Sequence, residues 1–109
     1  MASTYKVLGQ SKPSANTNSE LYTNPENGQA IVSTVAIANT GDLADSYRIF
    51  VRKDAATASD SNALVYDAII DSNSTVTMTL GATIDSEDVI TVYSKRGYLT
   101  FHAFGLEIL

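Results

Sequence analysis

From residue 45 to residue 52 the chain reads D-S-Y-R-I-F-V-R, which puts Tyr47, Ile49 and Val51 on one side and Ser46, Arg48 and Arg52 on the other. Successive side chains of a strand point to opposite faces, so this pattern predicts a half-buried β-strand, with Phe50 alone breaking its polar side. Residues 74–80 repeat it more cleanly: Val76, Met78 and Leu80 share one face, and Thr75, Thr77 and Thr79 the other. Read this way, the chain predicts about eight strands, at residues 4–8, 20–23, 30–39, 45–53, 63–70, 74–80, 88–94 and 98–108. No segment carries apolar residues at i, i+3, i+4 and i+7 over three turns, so no long helix is expected.

The segments between these runs carry turn chemistry. Asn39-Thr40-Gly41-Asp42 offers a glycine for a positive φ, Asp71-Ser72-Asn73 bonds its own backbone, and Lys95-Arg96-Gly97 precedes the last strand. Short strands at this spacing predict an all-β, single-domain antiparallel β-sandwich, jelly-roll or immunoglobulin-like, spanning residues 1–109. Residues 9–19 are polar, hold Pro13 and lack periodicity, so 1–19 reads partly as an extended N-terminal arm or loop. Residues 54–62 are small and polar, and read as a long loop or at most one helical turn. In the last strand Leu99, Phe101 and Ala103 form one face, while Tyr98, Thr100, His102 and Phe104 form the other; Gly105 marks a bulge or a close backbone approach. The apolar end at Leu109 is expected to be packed or paired.

At 109 residues the chain matches one domain with a single core. Charged residues are only 17% of it, against roughly 25% in typical soluble domains. Its polar surface therefore depends on Ser, Thr and Asn. A net charge of −5 with scattered basic residues argues against a nucleic-acid partner. No apolar stretch reaches the ~20 residues of a membrane span, so no membrane partner is expected, and the first residues do not read as a cleaved export signal. Without cysteine there is no disulfide framework and no thiolate metal site.

Candidate chemistry is thin. His102, the only histidine, has no nucleophile or orienting partner readable beside it, and is expected to be a partly buried or interface residue. Asp85-Ser86-Glu87-Asp88 gathers carboxylates as a hard cation would want, but lacks the glycine and distal glutamate of a calcium loop; a turn before a strand accounts for it. No metal, cofactor or catalytic residue is therefore expected, and the chain does not read as an enzyme. The six tyrosines combine contact area with a hydroxyl that tolerates a wet rim. Tyr47 and Tyr66 fit the inward pattern of their strands, whereas Tyr5, Tyr22 and Tyr98 lie near strand ends.

The order of short motifs carries more than any one of them. Tyr5-Lys6-Val7-Leu8-Gly9-Gln10-Ser11, Leu21-Tyr22-Thr23, Val32-Ser33-Thr34, Ala38-Asn39-Thr40-Gly41 and Tyr47-Arg48-Ile49 come first. Thr77-Met78-Thr79-Leu80-Gly81, Asp88-Val89-Ile90-Thr91-Val92-Tyr93 and Phe104-Gly105-Leu106-Glu107-Ile108 follow. Together they resemble a family of small virion structural proteins of tailed bacteriophages, many from cyanophages and other aquatic phages. The resemblance implies a non-enzymatic head decoration (cement) protein, made in the host cytoplasm and carried on the capsid exterior, where it bridges and stabilises subunits of the major capsid protein. A homo-oligomer, favoured as a trimer at a local three-fold position, is the expected self-association. Contacts are expected from residues 2–19 and 54–62, with Tyr5, Lys12, Pro13, Tyr22, Tyr98, Phe104 and Leu109 as interface residues. Two alternatives stand beside this: a tail, fibre or head-tail connector module, and a carbohydrate-binding sandwich for host attachment.

Overall fold

Alternating side chains build two layers in the computed structural model, which describes residues 3–109. Eight strands appear among them: β1 (Ser3–Ser11), β2 (Thr17–Thr23), β3 (Gln29–Asn39), β4 (Asp45–Arg52), β5 (Ala63–Ile70), β6 (Thr75–Ile84), β7 (Val89–Ser94) and β8 (Leu99–Ile108). Between β4 and β5 lie two short 3₁₀ turns, Lys53–Ala55 and Asp60–Asn62. One sheet has the order β1-β8-β3-β6 and the other β2-β7-β4-β5.

That order has a simple origin. Antiparallel pairs form between β4 and β5, β3 and β6, β2 and β7, and β1 and β8, so the chain is one long double ribbon folded back at its middle. Rolling the ribbon adds the pairs β3 with β8 and β4 with β7. This is a jelly roll, the first of the two expected sandwich topologies. The core lies between the sheets, where Val32, Val35, Ile37, Ile49, Ile90, Val92, Leu99 and Phe101 are fully buried. Tyr47 packs edge-on to Phe101, with ring centroids 6.3 Å apart.

Bulges cross the first sheet at one level. The register slips at Leu8 of β1, at Ser33 of β3 and across Leu80 and Gly81 of β6. Glycine is needed where the backbones then crowd: a Cβ on Gly105 would stand 2.0 Å from the Ile31 carbonyl oxygen, and one on Gly9 1.9 Å from that of Leu21.

Buried polar groups pin the connections. The Asp45 carboxylate accepts hydrogen bonds from the Ser46, Arg96 and Tyr98 amides and from the Ser94 hydroxyl, fixing the start of β4 against the β7–β8 turn. Burial alone would raise the Asp45 pKa, but these four bonds hold it below the usual carboxylate value. Asn39 donates from its amide to the carbonyls of Leu43 and Ile70, tying the β3–β4 connection to the end of β5.

Three expectations are corrected. The unperiodic residues 9–19 are mostly strand, because β1 runs through Ser11 and β2 begins at Thr17; the polar side chains face solvent at sheet edges while the backbones pair with β8 and β7. Ala2, where the arm was placed to begin, lies outside the described residues. Tyr66 does not face the core: it is exposed on the outer side of β5, where the Arg48 guanidinium stacks 4.1 Å from its ring centre. The 54–62 segment is a loop, but it holds two short 3₁₀ turns where at most one helical turn was expected. Arg52 donates to the carbonyls of Ala55 and Ala56, and the Asp88 carboxylate accepts from the Asp54 amide, which folds the segment against β4 and β7. Phe50, the residue that broke the polar side of its strand, is buried on that outer side of β4, outside the main core.

Candidate interaction surface

Every outward position of the first sheet is uncharged. On β1 these are Ser3, Tyr5, Val7 and Gln10; on β8, Thr100, His102, Phe104, Leu106 and Ile108. β3 adds Gln29, Ile31, Ser33, Thr34, Ala36 and Ala38, and β6 adds Thr75, Thr77, Thr79 and Thr83. The alternation is the cause, because in β8 the neighbours Phe101 and Ala103 point into the core and force Thr100, His102 and Phe104 outward. Lys6 escapes the face by turning the other way.

Cross-strand register gathers the apolar members of this face. Tyr5, Leu106 and Ile31 lie directly opposite one another on β1, β8 and β3, and Val7, Phe104 and Thr34 form the next row. Tyr5 is 85% exposed, Val7 50% and Phe104 38%. The His102 ring lies nearly parallel to Phe104, with centroids 6.4 Å apart, and its Nδ1 is 3.0 Å from Gln10 Nε2. Beyond this pair a shallow hollow is bordered by Gln10, Lys12, Thr100 and His102. Aromatic residues, few charges and a polar rim are the composition of a protein-binding surface, and large exposed apolar patches mark such sites.

The seven residues expected at an interface divide. Tyr5 and Phe104 come together on this face, and Lys12 stands at its rim. Tyr22 is corrected: it is buried, donating its hydroxyl to Asn24 and to Glu107 at 2.5 Å, so it belongs to the inner seam of the sandwich. Pro13 is buried at the β1–β2 turn and offers no free contact surface. Tyr98 is half-buried and its ring lies against Gly41, where a Cβ would stand 2.3 Å from it. Leu109 is exposed, beyond the end of β8, about 36 Å along the strand direction from Tyr98.

The charges that sequence reading missed are inside the seam. Glu107 is buried and pairs with Lys6 Nζ at 2.8 Å, and both Lys6 and Tyr22 hold its carboxyl below the usual range. Burial, followed by Glu107 itself, pushes the Tyr22 hydroxyl well up. The signal was alternation alone: two residues past Gly105, Glu107 falls on the inward face. The other sheet is charged on its outer side, where Arg48 lies between the rings of Tyr66 and Tyr93 and pairs with Asp67 at 2.7 Å.

The acidic turn before β7 is structural. Asp88 accepts from the amides of Asp54 and Asp85, and Asp85 accepts from the Ser86 amide. Among the described residues no group of three His, Asp or Glu side chains is placed to hold a metal ion, and no helix is long and apolar enough to cross a membrane. Compared with known proteins, the chain matches no protein-family model and no curated protein sequence.

Proposed function

We propose that this chain is a non-enzymatic structural subunit of a phage virion that docks through the uncharged outer face of its first sheet, most concretely a head decoration protein on the capsid exterior. The observation that carries the docking is the pair of adjacent rows that expose Tyr5, Val7, Ile31 and Phe104 on a sheet face without charge. The virion setting rests on the resemblance of the ordered sequence motifs to small phage structural proteins. The jelly-roll strand order agrees with it as an analogy of fold, since viral coat and lectin domains both use this architecture.

The physical role follows from linkage. A subunit that binds the assembled coat and not its free components stabilises the assembly by mass action, and many copies on one lattice add up. A rigid sheet suits this work, because little conformational entropy is lost when its face is covered.

The test is a titration of purified protein onto undecorated heads, followed by sedimentation and quantitation. Saturation at a fixed ratio to the major capsid protein is expected. Binding to tails alone moves the chain to the tail reading, and binding to neither particle overturns the proposal.

A further inference from the structure

Four strands lie at sheet edges, and three of them are blocked. β1 carries Lys6 and a bulge at Leu8, β2 carries Glu20 and a bulge at Leu21, and β5 has register breaks at Leu64 and Asp67, the latter at φ 59°. Charges and bulges of this kind are the usual protection against unwanted strand pairing. β6 has neither along Thr75 to Thr79: the segment reads T-V-T-M-T, holds regular register with β3, and pairs with no strand except β3. Its outer edge is therefore an open row of backbone donors and acceptors.

The inner face beside that edge is also unfinished. At the other side of the sandwich β1 lies against β2, and Gly9 packs on the Leu21 carbonyl. At the β5–β6 side, Val76, Met78 and Leu80 of β6 pack against the core but are only half-buried, as are Val65 and Ala68 of β5.

We infer that β6 pairs antiparallel with β6 of a second copy of this chain, across a two-fold axis at Thr77. The segment is nearly its own mirror in sequence. With Thr77 opposite Thr77, Thr75 meets Thr79 and Val76 meets Met78, so hydroxyls line the outer side and apolar side chains cover the open seam. A chain of net charge −5 repels its copies, and this edge lets two approach without setting any charged side chain of the strands opposite another. The result is one eight-stranded sheet, with order β1-β8-β3-β6-β6-β3-β8-β1. Pairing β6 instead with a partner's β1 would stop at the Leu8 bulge and leave a chain of contacts that need not close. The two-fold contact goes beyond the docking proposal, uses a different surface, and differs in symmetry from the trimer expected from sequence. So short a contact falls below the roughly 1,200 Å² of stable complexes, so it is weak in free solution and gains strength where copies are held side by side.

The chain has no cysteine, which makes cross-linking clean. Purified Thr77→Cys protein is oxidised mildly at high concentration beside Thr75→Cys, whose copies would stand about 14 Å apart in this register. Rapid disulfide-linked dimer from Thr77→Cys, little from Thr75→Cys, and efficient linkage again in Thr75→Cys/Thr79→Cys is the expected pattern. All three sites are exposed threonines, so folding is retained, which far-UV circular dichroism checks. Equal cross-linking of the two single variants, none in either, or a trimer by sedimentation equilibrium overturns the inference.

Discussion

Asp45 shows how one carboxylate organises three segments. It is buried, and its four donors come from the residue beside it and from the β7–β8 turn. Its pKa is depressed in the fold, as is that of Glu107, which Lys6 and Tyr22 stabilise as the anion. A depressed folded pKa gives stability that is fully present above the unfolded value, about 4 for carboxylates, and is lost as pH falls through the folded value. Chemical denaturation from pH 7 to pH 2 is therefore expected to show stability level above about pH 5 and falling below it. Asp45→Asn removes about 1–3 kcal/mol at pH 7 and flattens the acid slope. A variant with wild-type stability at pH 7 and an unchanged slope would contradict this role.

At the scale of elements, alternation was legible wherever a strand has one wet face. β5 has the bounds that the pattern predicts, and β3, β4, β7 and β8 differ by a residue at an end. β6 runs on to Ile84, past the apparent stop at Gly81, because this glycine takes φ 62° within the strand and Ala82 and Ile84 keep the inward phase. Residues 9–19 were illegible for the opposite reason: edge strands with polar side chains on both sides carry no period, and their stability comes from backbone pairing with β8 and β7. Of the candidate surface, Tyr5, Phe104 and Lys12 were foreseen. Val7, Ile31 and Leu106 were not, because only the register across three strands brings them together. Two glycine variants separate crowding from backbone strain. Gly105→Ala drives a Cβ into the Ile31 carbonyl and is expected to cost at least about 2 kcal/mol in thermal or urea unfolding. Gly81→Ala meets no atom within 4 Å and pays only for its positive φ, about 1–2 kcal/mol. A reversed order would mean that the bulge level is not a close-packed seam.

As a whole the molecule is a slab of 45 × 27 × 19 Å, a thickness that two sheets about 10 Å apart and their side chains use up. What such a body offers a partner is faces and edges. One face is charged and carries the 53–62 excursion that Arg52 and Asp88 pin; the other is uncharged and exposes aromatic side chains. The open edge at β6 borders that second face, so the proposed docking and the inferred self-pairing would draw on one sheet.

The most direct test places a charge on each face in turn. Val7→Lys and Phe104→Lys alter the first sheet, and Ile69→Lys, at a position 72% exposed on the other sheet, serves as the matched control. With undecorated heads as the partner, the two first-sheet variants are predicted to lose binding by roughly tenfold or more while Ile69→Lys saturates like the parent chain. Undiminished binding by both first-sheet variants, or a loss confined to Ile69→Lys, would contradict the account.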